Sequence, residues 1–93
     1  MLVDESFLDF TDESSLSSLA VQRHDLFILR SLTKFYALPG LRVGALVASE
    51  KTMARLRMHR EPWQVNVLAE PAAIASARDA EYAERTRRFV RSE

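Results

Sequence analysis

With 93 residues, of which 47% are hydrophobic and 28% charged, the chain has room for a single domain with one small core. Thirteen basic and thirteen acidic residues cancel, which argues against the broad positive face that nucleic acid or an anionic membrane attracts. There is no cysteine, so disulfides and thiolate metal sites are excluded, and a reducing, cytoplasmic setting is expected.

The opening Leu2-Val3-Asp4 reads as a short strand ending in a carboxylate. In an open α/β sheet, ligands gather beyond the carboxyl ends of strands; taken alone, though, such an aspartate is more simply a solvated turn residue. Phe7, Leu8 and Phe10 follow among acidic residues. Residues 11–20, Thr-Asp-Glu-Ser-Ser-Leu-Ser-Ser-Leu-Ala, have the composition of a loop leading into a short helix. No histidine or glycine-rich context accompanies these serines, so they read as loop and cap residues rather than nucleophiles. His24 reads as a surface residue, and with His59 far away in sequence no metal cluster is expected.

Leu26-Phe27-Ile28-Leu29 is an apolar run of the kind that forms a buried strand. Lys34 lies between this run and the Pro39-Gly40 break, with Ser31 three residues before it and Arg42 eight after. A lysine at a strand exit can be held close to a ligand, and a guanidinium offers a phosphate two parallel hydrogen bonds. An amine beside a phosphate site suits a phosphorylated aldehyde.

Residues 43–48 form a second apolar run with little alternation, expected to be a strand covered on both faces, with Gly44 admitting close backbone approach. Ser49 is expected to cap a helix over 50–60 whose Met53 and Leu56 face the core. Pro62-Trp63-Gln64-Val65-Asn66 interrupts, and a further helix is expected over 67–78, bent or starting late at Pro71. Asp79 opens a last helix over 80–91, supported by the pairs Glu81/Arg85 and Glu84/Arg88. Tyr82, Phe89 and Val90 are expected to bury, while Arg85, Arg87, Arg88 and Arg91, interleaved with glutamates, read as a solvated face. No stretch approaches the roughly 18 consecutive apolar residues of a membrane helix. The whole reads as an α/β chain of about three strands with flanking helices.

Ser31-x-x-Lys34 followed by Gly40-Leu41-Arg42-x-Gly44 resembles the cofactor-lysine signature of the class I/II aminotransferase superfamily, the fold-type I enzymes that use pyridoxal 5'-phosphate (PLP). Upstream, Val3-Asp4-Glu5-Ser6-Phe7 resembles the family's Asp-Glu-Ala-Tyr segment, and Asp4 precedes Lys34 by thirty positions, close to the family's interval. The resemblance implies that Lys34 forms the Schiff base with PLP, that Ser31 and Arg42 hold its phosphate, and that Asp4 pairs with the pyridine nitrogen and keeps it protonated. Phe7 departs from the pattern: many relatives carry a tyrosine there, whose hydroxyl bonds the cofactor's phenolic oxygen. The resemblance further implies that residues 1–93 are part of a large, cofactor-binding domain, with the small domain and the N-terminal part absent, and that an intact member is a homodimer.

Arg30 to Arg42 and Pro62-Trp63-x-Val65-Asn66 are similar to the threonine-phosphate decarboxylases of cobalamin biosynthesis. The sister histidinol-phosphate aminotransferases more often show other residues after the lysine and a tyrosine after the corresponding proline. The expected function is therefore PLP-dependent decarboxylation of threonine phosphate, with histidinol-phosphate transamination as the alternative, and residues 1–93 by themselves are expected to be inactive. A small-molecule substrate is expected, without nucleic acid or membrane partners. A reading of another class, a non-catalytic helical interaction module, rests on the charged last helix and the incomplete site. Against it stands the joint spacing of Asp4, Ser31, Lys34 and Arg42, which a surface module has no need to keep.

Overall fold

The computed structural model describes residues 1–93. Three strands, β1 (Leu2–Asp4), β2 (Phe27–Ser31) and β3 (Gly44–Val47), form one sheet in the order β1-β2-β3. β1 and β2 run parallel, with Val3 opposite Ile28, and β3 returns antiparallel, with Gly44 opposite Ser31. Parallel neighbours need a crossover. Here it contains a 3-10 turn, Leu8–Phe10, and the short helix α1 (Ser17–Ala20) to which the serine loop leads. The two carboxyl strand ends and the amino end of β3 therefore meet on one edge of the sheet.

Ala20, Leu26 and Ile28 are fully buried, with Val3 and Val47 packed against them. Side chains alternate faces along a strand, so Ile28 points inward while its neighbour Leu29 is left 38% exposed. The apolar run is thus covered on one face, not wholly buried as expected. β3 departs further from expectation: Gly44 and Ala45 are exposed, and Leu46 and Val47 are only half-buried. It is an edge strand, and apolar composition alone could not say how many faces would be covered. A second apolar centre forms around buried Phe35, whose ring meets those of Phe10 and Tyr36 edge-on at 5.0 and 4.9 Å.

Three longer helices follow. α2 (Glu50–Met58) starts where the Ser49 hydroxyl accepts the Thr52 N–H at 3.4 Å. α3 (Ala69–Ala77) starts late, so that Pro71 falls in the first turn, where a missing N–H breaks no helical bond. α4 (Ala80–Ser92) is capped by the Asp79 carboxylate, which accepts the Tyr82 N–H at 2.9 Å. The stripe on α2 is not core: Met53 is half-buried and Leu56 exposed, because no other helix or strand packs closely against it.

On α4, Tyr82 is half-buried and Ala83 buried, but Phe89 and Val90 are exposed, contrary to expectation. The arginine row is not a purely solvated face either. Arg87 Nε donates to the Asp9 carbonyl at 2.9 Å, and Arg91 reaches both carboxylate oxygens of Asp12 at 2.9 Å, docking α4 on the 3-10 turn. Glu84 and Arg88 form the expected pair at 3.5 Å. Arg85 instead lies 5.7 Å from the Tyr82 ring centre, and the ion pairs of α4 are those of Arg88 with Glu84 and of Arg91 with Glu84 and Asp12, not Glu81 with Arg85. No helix is long and apolar enough to cross a membrane.

Candidate functional site

The shared strand edge carries all four residues singled out by sequence. Asp4 ends β1, exposed, and its Oδ1 accepts hydrogen bonds from the hydroxyl and the backbone N–H of Ser6, the latter at 2.9 Å. Those bonds, the hydroxyl's first, hold the Asp4 carboxyl below its usual range, with a smaller contribution from the Lys34 charge. Ser31 ends β2; its Oγ lies 3.0 Å from Thr33 Oγ1 and accepts from Lys34 Nζ at 3.4 Å. Lys34 is exposed, and its Nζ stands 5.1 Å from the centre of the Phe7 ring. The amine thus touches both strand ends, a hydroxyl on the β2 side and an aromatic face on the β1 side.

The segment between β2 and β3 turns back through bonds from Leu38 N–H to Thr33 O, 3.0 Å, and Leu32 N–H to Val43 O, 3.3 Å. Ala37 and Arg42 adopt left-handed backbone angles, φ 51° and 49°. Arg42 then shares a hollow of about 280 Å³ with Arg30, Ser31, Thr33, Lys34 and Gly44. Gly44 is required there: a Cβ would meet the Arg30 carbonyl oxygen at 2.8 Å, the close backbone approach expected from the sequence. Asp4 lies outside that hollow, in a neighbouring one of about 540 Å³ with Glu5 and Phe7. Ser31, Lys34 and Arg42 are therefore brought together, with Asp4 beside them. A hollow of about 560 Å³ between β3 and α2 contains none of the four and offers no nucleophile beside a base.

Two supports were not read from the sequence. Asn66 Nδ2 donates to the Leu41 carbonyl at 2.9 Å, while its Oδ1 accepts the N–H groups of Leu68 and Ala69 at 3.0 and 2.9 Å. It pins the Arg42 turn to the start of α3; an asparagine just before a helix is a capping signal that could have flagged it. The second support is a charge cluster. Glu5, 6% exposed, accepts from the Ser15 hydroxyl at 2.6 Å and the Leu16 N–H at 2.8 Å, and lies 3.6 Å from Arg30, which also bonds Asp9. Nearby, burial first and the Asp9 carboxylate next push the Tyr36 phenol above its ordinary range.

A mixed three-stranded sheet with an amine, hydroxyls and a guanidinium gathered beyond the carboxyl ends of its parallel strands defines an α/β chain of the open-sheet kind. The chain belongs to the aminotransferase class I and II family, whose description matches residues 1–92. It is 41% identical over 96 residues to the threonine-phosphate decarboxylase of Salmonella typhimurium, covering all of this chain and 26% of that protein. It overlays the histidinol-phosphate aminotransferase of Clostridium acetobutylicum with a TM-score of 0.82 and 35% identity, over 92% of this chain and 27% of that one. The L-threonine-O-3-phosphate decarboxylase of Porphyromonas gingivalis gives a TM-score of 0.78 and 32% identity, over 97% and 28%. The chain thus spans about a quarter of the length of the proteins it resembles.

Proposed function

We propose that this chain carries the lysine side of a PLP site and serves a PLP-dependent enzyme of amino-acid metabolism that decarboxylates threonine phosphate. The observation that carries this reading is the convergence of Asp4, Ser31, Lys34 and Arg42 on one strand edge, where the Lys34 amine has a single long hydrogen bond. The donor set fits the cofactor. The Ser31 and Thr33 hydroxyls and the Arg42 guanidinium suit a phosphate, while an Asp4 carboxylate kept ionised by Ser6 suits a protonated ring nitrogen.

When bound, PLP supplies an electron sink for whichever bond to the substrate's α-carbon breaks. Lys34 provides the amine that attaches the cofactor and, once free, holds or delivers a proton at the α-carbon. Ser31 and Arg42 bind the phosphate end, Asp4 orients the opposite end, and the Phe7 ring holds the Lys34 amine between them. Decarboxylation is favoured by the stretch from Arg30 to Arg42, by Pro62-Trp63, and by the identity to the Salmonella protein. The overlay on the Clostridium protein supports the alternative, transamination of histidinol phosphate. In both readings the substrate is a phosphorylated amino acid or amino alcohol, and the working enzyme is a cytoplasmic homodimer; in the first it belongs to cobalamin biosynthesis.

The test uses the two lysines of the chain, Lys34 and the exposed Lys51. PLP is added, reduced on with borohydride, and mapped by mass spectrometry. Labelling of Lys34 in preference to Lys51, lost in Lys34→Ala, is the expected result. Equal labelling of both lysines would refute a cofactor site on this edge.

A further inference from the structure

The backbone ladder between β1 and β2 ends with the bond from Glu5 N–H to the Leu29 carbonyl at 2.8 Å. Beyond it the chain splits into two arms, one carrying Ser6 and Phe7, the other Ser31 to Lys34, and no backbone hydrogen bond joins them. Yet Lys34 touches both arms, through Ser31 and through Phe7. Something other than the ladder must hold their separation.

The charge cluster lies at this fork. Arg30 directly precedes Ser31, Glu5 directly follows Asp4, and Asp9 is in the 3-10 turn that the Phe7 arm enters. The side chains of Arg30, Asp9 and Glu5 are 22%, 14% and 6% exposed, and the guanidinium bonds Asp9 while lying 3.6 Å from Glu5. In such surroundings a guanidinium fork fixes the position of its carboxylates, and removing one partner leaves the others desolvated and unpaired. Asp9 is itself held from behind, its carbonyl accepting from Arg87 of α4. Although Arg30 lines the same hollow as Arg42, two carboxylates already engage its guanidinium, leaving Arg42 as the guanidinium that faces an anion there.

We propose that Arg30, gripped between Glu5 and Asp9, is a positioning residue that sets the distance between the Asp4–Phe7 arm and the Ser31–Lys34 arm. Its relevance to the cofactor rests on the PLP-site reading; its effect on the free protein does not. Misplacement of a reacting group by about 1 Å can cost on the order of 100-fold, so a loosened fork costs selectivity at Lys34 before it costs the fold.

The experiment reads both levels. In the free chain, with Lys34 Nζ over the Phe7 ring at 5.1 Å, the ring current should shift the Lys34 ε-methylene signal upfield, and Phe7→Leu should remove that shift. Arg30→Met leaves two carboxylates unpaired and lowers stability as well as loosening the fork. The triple variant Glu5→Gln/Asp9→Asn/Arg30→Met removes the stranded charges, and the side-chain amide oxygen it places at position 5 remains an acceptor for the Leu16 N–H. The expected result is that the triple variant regains the thermal midpoint that Arg30→Met loses, but not the upfield shift, and that its preference for PLP labelling at Lys34 over Lys51 falls by about 10- to 100-fold. A folded triple variant that keeps the wild-type shift overturns the inference, whatever the labelling shows. So does a wild-type chain with no shift for Phe7→Leu to remove. A wild type that shows the shift but labels both lysines alike refutes the cofactor reading, while the loss of the shift in the triple variant still supports the clamp.

Discussion

Replacing Gly44 by alanine places a methyl carbon 2.8 Å from the Arg30 carbonyl oxygen. An ordinary carbon-to-oxygen contact is about 3.3–3.6 Å, so the two must separate by roughly half an ångström or more. The obstacle is backbone in the paired strand, not the end of a flexible side chain, and no rotamer relieves it. β3 must therefore move off β2 where Gly44 faces Ser31. Overpacking of this kind costs about 1–3 kcal/mol, against a total stability of about 5–14 kcal/mol for a domain of this length. Each kcal/mol lowers the thermal midpoint of so small a domain by about 4–8 °C. Gly40→Ala is the control: nothing lies within 4 Å of its added carbon and its φ is not positive, so it should be neutral or stabilising by up to about 1 kcal/mol. The assay is thermal and urea unfolding followed by circular dichroism. A Gly44→Ala chain as stable as Gly40→Ala would refute the close strand approach and the role given to this glycine.

Asp79→Ala removes the α4 cap and should cost about 1 kcal/mol, read from the urea midpoint with the slope unchanged. Asp25 is held to about 2 by its hydrogen bonds from Arg23. A carboxyl with a depressed folded pKa stabilises above its unfolded value of about 3.9, and that contribution fades as pH falls from there through about 2; an NMR titration should show the low value, and Arg23→Gln should return it to the ordinary range. Trp63 is 96% exposed, and Met58, Val67 and Phe89 are also exposed, while β3 pairs on one side only. Concentration-dependent self-association is therefore expected on gel filtration, and a single monomer peak at high concentration would contradict it.

What the sequence revealed followed from local spacing. Strand exits, the caps at Ser49 and Asp79, the late start of α3 and the tight approach at Gly44 depend on residues within a few positions of one another, and each is found. Lys34, Ser31 and Arg42 share one turn region, so their meeting was legible too. The Arg30 cluster was not, because it exists only once β1 and β2 pair in parallel and bring residues 21 positions apart into contact. Burial was misread at Leu29, Leu56 and Phe89 for a different reason. An apolar pattern reports which face could be covered and is silent about what covers it. Arg87 and Arg91 show the same limit for charge: their spacing among glutamates fits a solvated helix, and only the docking of α4 gives them Asp9 and Asp12.

Ala37 and Arg42 hold left-handed backbone angles in a turn whose Gly40 does not. For a residue with a side chain that geometry costs about 1–2 kcal/mol, so the turn is a poor target for uniform thermostabilisation. Ala37→Gly can relax its backbone without removing a polar group. Arg42→Gly would relax the same kind of torsion while deleting the guanidinium at the rim of the hollow. On the PLP-site reading the two positions pose the stability–activity trade-off separately, and a directed-evolution campaign selecting only for heat resistance would be free to erase the second.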